Sequence, residues 1–308
     1  MNRLAHTYSI VAFDPDAGQL GVAVQSRYFS VGPVVPWLEA GVGAVATQSF
    51  VEISYGPLGL DLMRGGKTAQ QALQSLLASD PERERRQVAM VDARGNVAVH
   101  TGAQCIPHAG HIQGDHFSVQ ANLMARDTVW GAMAETFQGT KGDLAGRMMA
   151  ALEAAQDEGG DIRGQMSAAL IVVSSATDTP PWGGRLFDLR VEDHNAPIRE
   201  LRRLLSIAQA YKKLQAAHEI LDKRDADIGL AMRNFASGIA TFPSDFQSAE
   251  ETFWFARHLT EIGAIEAALP LFAEAFAREP VWRKLVPELA RVGRLPQAEA
   301  VLQQILAQ

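Results

Sequence analysis

A single cysteine, Cys105, stands in 308 residues, so no disulfide framework can form within the chain. That usage fits a reducing compartment, where thiols stay free. Basic residues are also scarce: 28 Lys and Arg face 35 Asp and Glu, a net charge of −7. A chain of that balance lacks the electrostatic footprint of a nucleic-acid binder, and no nucleic-acid partner is expected. The cluster "RELRRLL" is short and reads as a solvated helix face. Long apolar runs are missing as well. "GVGAVA" and "AALIVV" are far too short to span a bilayer, and the first residues show no apolar leader core. The expectation is a cytoplasmic protein with no membrane partner.

What is present is core-forming material. Hydrophobic residues make up 47% of the chain and charged residues 20%, enough for one large domain or two moderate ones. Residues 7 to 191 carry short β-branched and apolar runs bounded by Gly, Pro and Asp, about eight candidate strands. "DPDAG" and "DARG" are turn-rich and predict two hairpins. A helix is expected from Lys67-Thr68 onward, with Ala69, Ala72, Leu73, Leu76 and Leu77 at helical spacing. Two more follow in "TVWGAMAETF" and "LAGRMMAALEAAQDEGG", the last stopped by Gly159-Gly160. Helices in blocks among hairpin strands indicate α+β or layered α/β architecture rather than strict alternation.

From Asn195 onward strand signals vanish. The chain is expected to divide into residues 1–195 and a helical domain, 196–308. Within the tail, Leu259, Ile262, Gly263, Ala268 and Phe272 align with Leu289, Val292, Gly293, Ala298 and Leu302 at a thirty-residue offset. A helix–Gly turn–helix unit near this period is tetratricopeptide-like, and an ordinary small helical bundle is the competing reading. Phe253, Trp254, Phe255, Phe272, Phe276 and Trp282 read as its core.

The first hairpin raises a chemical question. In "HTYSIVAFDPDAGQLGVAVQSRY", a turn near Asp16–Ala17 sets Thr7 opposite a residue near Ser26. In a chain beginning at Thr7, one residue would hold both a hydroxyl and a free α-amine. The amine, with a pKa of about 7.7–8.0, is placed to take the hydroxyl proton. The plainer reading is a strand threonine, since β-branched residues favour strands.

The blocks "TYSIVAFDP", "GQLGVAVQSRYFSVGPVVPWLEAGVGAVATQ", "YGPLGLDLM", "QVAMVDARGNVAVHTGAQC" and "VQANLMA" together resemble the bacterial family catalogued as domain of unknown function 1028, over residues 6 to 195. The resemblance implies the N-terminal nucleophile (Ntn) hydrolase superfamily and its four-layer αββα sandwich, here followed by a small all-α helical-hairpin domain. It implies Thr7 as nucleophile. Many family members start Met-Thr, whereas here residues 1–6 precede Thr7, so exposure needs cleavage after His6 or another start.

The same resemblance points to Asn122 as an oxyanion donor, with Gln120 alternating onto its face; the alternative is that Asn122 satisfies backbone groups at a strand end. Ser26, Arg27 and Thr47 are expected to line the pocket, Arg27 as a carboxylate-binding guanidinium or a solvated strand-end charge. Ser167 reads as turn chemistry before a buried strand. The stretch 100–116 is histidine-rich, and His108, His111 and His116 form an alternative metal set without a strong ligand spacing. Cys105 reads as a small buried hydrophobe.

The leading expectation is an Ntn-type amidohydrolase acting on a small C–N substrate, requiring no cofactor. The alternatives are a non-catalytic scaffold whose helical tail binds a protein or peptide, and a metal-dependent hydrolase. A small-molecule substrate and a homo-oligomer complete the expected partners.

Overall fold

The computed structural model describes residues 4–177, 183–246, 248–296 and 298–308. Among them lie eleven strands and ten α-helices, and the chain divides into two compact units, residues 1–205 and 206–308.

The first unit is built on two antiparallel sheets. One contains β1 (Leu4–Ala5), β4 (Pro36–Glu39), β5 (Gly43–Phe50), β6 (Arg86–Asp92) and β7 (Val97–Thr101); β1 and β4 both pair with β5. The other runs in the order β11 (Arg185–Val191), β10 (Ser167–Ser174), β3 (Gln19–Ser26), β2 (Thr7–Asp14), β9 (Phe117–Ala121), β8 (Gly110–Gly114). The hairpin spacing holds: Thr7 pairs with Ser26 and Asp14 with Gln19. Three strands lie outside the eight expected ones. β1 has two residues, β4 four, and β8 reads "GHIQG", too short or too polar to carry a period-two signal.

Alternation sorts each strand into two faces. Val11, Leu20, Val22, Val24, Ile171 and Val173 of one sheet share a buried core with Ala44, Ala46, Ala89, Val91 and Val97 of the other. On the outer face of the first sheet, Val45, Val88 and Met90 pack with Tyr55, Leu60 and Met63 of α1 (Tyr55–Arg64) and with Ala69, Ala72 and Leu73 of α2 (Ala69–Ser79). Thr68 caps α2 in a reciprocal box with Gln71, which is why the helix starts where the sequence predicts. On the outer face of the second sheet lie α3 (Val129–Gly139) and α4 (Leu144–Asp157). Phe137 meets Phe117 at 4.8 Å between ring centroids, and Tyr8 reaches Gln156. Gly159 and Gly160 leave α4 with φ of 107° and 57°, a left-handed exit that glycine makes without steric cost.

Residue 206 falls within α5 (Pro197–Leu221). The second unit continues with α6 (Ile228–Ile239), α7 (Glu250–Glu261), α8 (Ile265–Arg278), α9 (Val281–Arg291) and α10 (Glu299–Leu306). Phe253, Phe255, Phe272 and Phe276 are buried in its core, with Trp254 and Trp282 packed against them. Gly263 and Gly293 end α7 and α9 with φ of 83° and 71°, so the two aligned glycines serve the same turn. No helix among the described residues is long and apolar enough to cross a membrane.

Candidate active site

β1 belongs to one sheet and β2 to the other, so the chain crosses between them at His6. Thr7 opens β2, an interior strand between β3 and β9, and its side chain turns to the inter-sheet side like that of Val11 two pairs later. Thr7 is fully buried, and its Oγ1 donates to the Ala5 carbonyl at 2.7 Å.

The peptide bond before Thr7 is held from the other side. The His6 carbonyl accepts from Ser26 Oγ at 2.7 Å and from Arg163 Nη2 at 3.0 Å. Arg163 is itself gripped by Asp161, Nε to Oδ1 at 3.0 Å and Nη2 to Oδ2 at 2.6 Å, and the Asp161 side chain is fully buried. The His6 imidazole donates from Nδ1 to Asn122 Oδ1 at 2.8 Å. Burial, and secondarily the nearby Arg163 charge, hold that imidazole below the usual histidine range, so it is neutral at pH 7.

Around this bond the inter-sheet layer is polar. Gln48 Nε2 donates to the Thr7 carbonyl (3.2 Å) and to Gln87 Oε1 (2.7 Å), while its Oε1 accepts from Ser9 (2.6 Å). Asn122 donates to the same Gln87 Oε1 (2.8 Å), and its backbone N–H meets the Thr7 carbonyl (3.1 Å). Gln87 Nε2 reaches the Ala121 carbonyl (2.9 Å) and Thr101 Oγ1 (2.9 Å). Gln120 donates to Ser9 Oγ at 2.6 Å. Three amides and a serine from both sheets thus form one continuous buried network with Asn122.

The structure brings Thr7, Ser26 and Asn122 together. Gln120 joins the network one pair further along the strand, against Ser9. Arg27 lies apart: it is exposed and donates to the Gln165 carbonyl at 2.7 Å. Thr47 is on the other face of β5, where its hydroxyl donates to the Glu52 carbonyl; the period of two puts Gln48, not Thr47, on the inner side. Ser167 donates to the Tyr28 carbonyl and accepts from Val31 N–H, fixing the loop after β3. His111 meets Thr101 and His116 meets the Gly95 carbonyl, while His108 is exposed. Among the described residues no three His, Cys, Asp or Glu side chains are grouped as a metal site requires. Cys105 is buried, and burial raises its thiol pKa, which makes it a poor nucleophile. A cavity of about 600 Å³ lined by Glu39, Met63, Arg64, Val173 and Arg185 sits at the far end of β10 from Ser167 and belongs to none of this.

A family model described as a family of unknown function, DUF1028, matches residues 7–201. The chain belongs to that family. Its matched region begins at Thr7 and carries every described strand of the two sheets except β1. A solved structure from Silicibacter pomeroyi, described as DUF1028, is similar at 30% identity and a TM-score of 0.59, over 66% of this chain and 89% of that one. The Anbu (ancestral beta-subunit) structure from Yersinia bercovieri matches at 11% identity and a TM-score of 0.31, over 67% of this chain and 96% of that one. A comparison with curated proteins finds no match.

Sequence reasoning gave no site role to the side chains of His6, Gln48, Gln87, Asp161 and Arg163 in this DUF1028 site. Gln48 and Gln87 stand in apolar strands, and a lone amide in an otherwise apolar run was the available signal. Nothing in the spacing of Asp161 and Arg163 points to a carbonyl more than a hundred residues earlier.

Proposed function

We propose that this DUF1028 chain is an Ntn-type amidohydrolase that attacks a small C–N, amide-like substrate through Thr7, exposed by cleavage of the His6–Thr7 bond. The observation that carries this reading is the position of Thr7. It opens an interior strand, its hydroxyl lies in a buried polar layer between two sheets, and the carbonyl before it is held by two side-chain donors. The packing of α1 and α2 outside one sheet, and of α3 and α4 outside the other, supports reading the unit as a four-layer αββα sandwich.

In this reading the chain before Thr7 fills the space a substrate will take. Departure of residues 1–6 frees the β5 edge at Ser49 and Phe50, which β1 now covers. The new α-amine then takes the Oγ1 proton as the hydroxyl attacks the acyl carbon, and the amine of the substrate leaves. Asn122 orients Thr7 through its carbonyl rather than meeting the reacting oxygen.

A second reading rests on the burial of Thr7. With β1 in place it is a strand residue, and the protein is a scaffold whose tail of tetratricopeptide-like hairpins, α7 to α10, binds a peptide or protein. Intact-mass analysis of the purified chain divides the two. The first reading expects a chain that begins at Thr7, and a Thr7→Ala variant that keeps residues 1–6 and has no hydrolytic activity. A hydrolytically active Thr7→Ala protein would sink it.

A further inference from the structure

Arg163 has an arrangement that a resting peptide carbonyl does not call for. A neutral carbonyl is satisfied by neutral donors, as the Thr7 carbonyl is by Gln48 and the Asn122 N–H. The His6 carbonyl receives a hydroxyl and a guanidinium, and that guanidinium is locked by a carboxylate with no solvent exposure. Burying a carboxylate is costly even when it is paired. A fixed cation aimed at an oxygen in a buried site is useful when that oxygen becomes negatively charged. The clamped peptide unit is also the one whose nitrogen belongs to Thr7, so nucleophile, acyl carbon and clamp are neighbours.

We propose that Arg163 is the catalytic donor of this site, stabilising the oxyanion on the acyl carbon that Thr7 attacks, with Ser26 as second donor and Asp161 as the positioning residue. This rests on the reading of Thr7 as nucleophile. The first acyl group so treated is His6. Thr7 Oγ1 bonds to the His6 carbonyl carbon, and the carbonyl π pair moves to the oxygen held by Arg163 and Ser26. The C–N bond then breaks, the nitrogen takes the proton that left Oγ1, and an ester joins His6 to Thr7. Water hydrolyses the ester: its oxygen completes the His6 carboxylate, one proton returns to Oγ1, and the other passes to solvent. Arg163 thereby takes the oxyanion role that the family resemblance suggested for Asn122, whose donors meet the Thr7 carbonyl instead.

The test follows loss of residues 1–6 by intact mass in the full chain, with circular dichroism to confirm folding. The Arg163 side chain is 33% exposed, so a small guanidinium can reach the space it leaves. Arg163→Ala is expected to slow the cut by about 100- to 1,000-fold. Added ethylguanidinium should restore part of the rate, and Arg163→Lys should retain part of it. Asp161→Asn should also slow it, with partial recovery in Asp161→Glu. Processing of Arg163→Ala at the wild-type rate overturns the assignment and leaves the Thr7 reading standing. A folded Arg163→Ala protein that neither ethylguanidinium nor lysine improves also overturns it, because the arginine then only supports the fold. If the wild type itself keeps residues 1–6, as Thr7→Ala does, both readings fall together.

Discussion

The layer between the two sheets has two unlike ends. At one end Val11, Val22, Ile171 and Val91 meet as aliphatic surfaces with no polar partner to find. At the other, the same strands carry Thr7, Ser9, Ser26 and Gln87 into a buried network of hydroxyls and amides. Strand alternation is the same throughout, so the difference lies only in which residues occupy the inward positions. The aliphatic end is held by a non-directional force and tolerates small adjustments. The polar end has no such latitude, because each buried donor that loses its acceptor costs free energy outright. A protein accepts that stringency where geometry matters more than stability, and this polar end surrounds the bond before Thr7.

The contrast can be broken most sharply at Gln87. Gln87→Leu keeps approximate volume but strips the acceptor from Gln48 and Asn122 and a donor from the Ala121 carbonyl. Denaturant unfolding should show a loss of roughly 3 kcal/mol or more, because several buried groups are orphaned at once. At the aliphatic end, Ile171→Val should cost only about 1 kcal/mol by the same measurement, the price of one methylene. A loss at Ile171 equal to that at Gln87 would erase the distinction.

The smallest effect is the share of the pH dependence that His6 contributes at the polar end. Burial lowers the His6 pKa, so the unfolded chain binds that proton first. Below the ordinary histidine pKa of about 6.5, acid therefore favours unfolding, and above it the term vanishes. In protein that carries residues 1–6 by intact mass, for which Thr7→Ala is the chosen background, the melting temperature should fall from pH 7.5 to pH 5.5. His6→Gln should flatten part of that slope; an unchanged slope would place the effect on other histidines.

Legibility in the sequence followed the range of the interactions. The first hairpin, its Thr7–Ser26 register, the capped start of α2 and the paired glycine turns of the tail depend on neighbours within a few residues, and all could be read from spacing. Short or edge strands were harder. β1 shows itself only by pairing with Ser49 and Phe50, and β8 by pairing with β9. Thr47 and Gln48 are adjacent, and only the inward parity of β5 selects Gln48 for the site. Arg27 stood out as a charge at a strand end, but it is Arg163, unmarked by any motif, that is carried to His6.

By itself the sequence determined the longer strand and helix segments, the shift from strands to helices along the chain, and a threonine at the start of the first hairpin. Local propensity and alternation act within each segment and need no partner. Only the tertiary structure decided that the bond between His6 and Thr7 lies where the chain passes from one sheet to the other. Only it brought Gln48, Gln87 and Asn122 around Thr7, and Asp161 and Arg163 to the His6 carbonyl. Those contacts join distant segments, and hydrogen bonds of a few ångströms exist only after both sheets have packed.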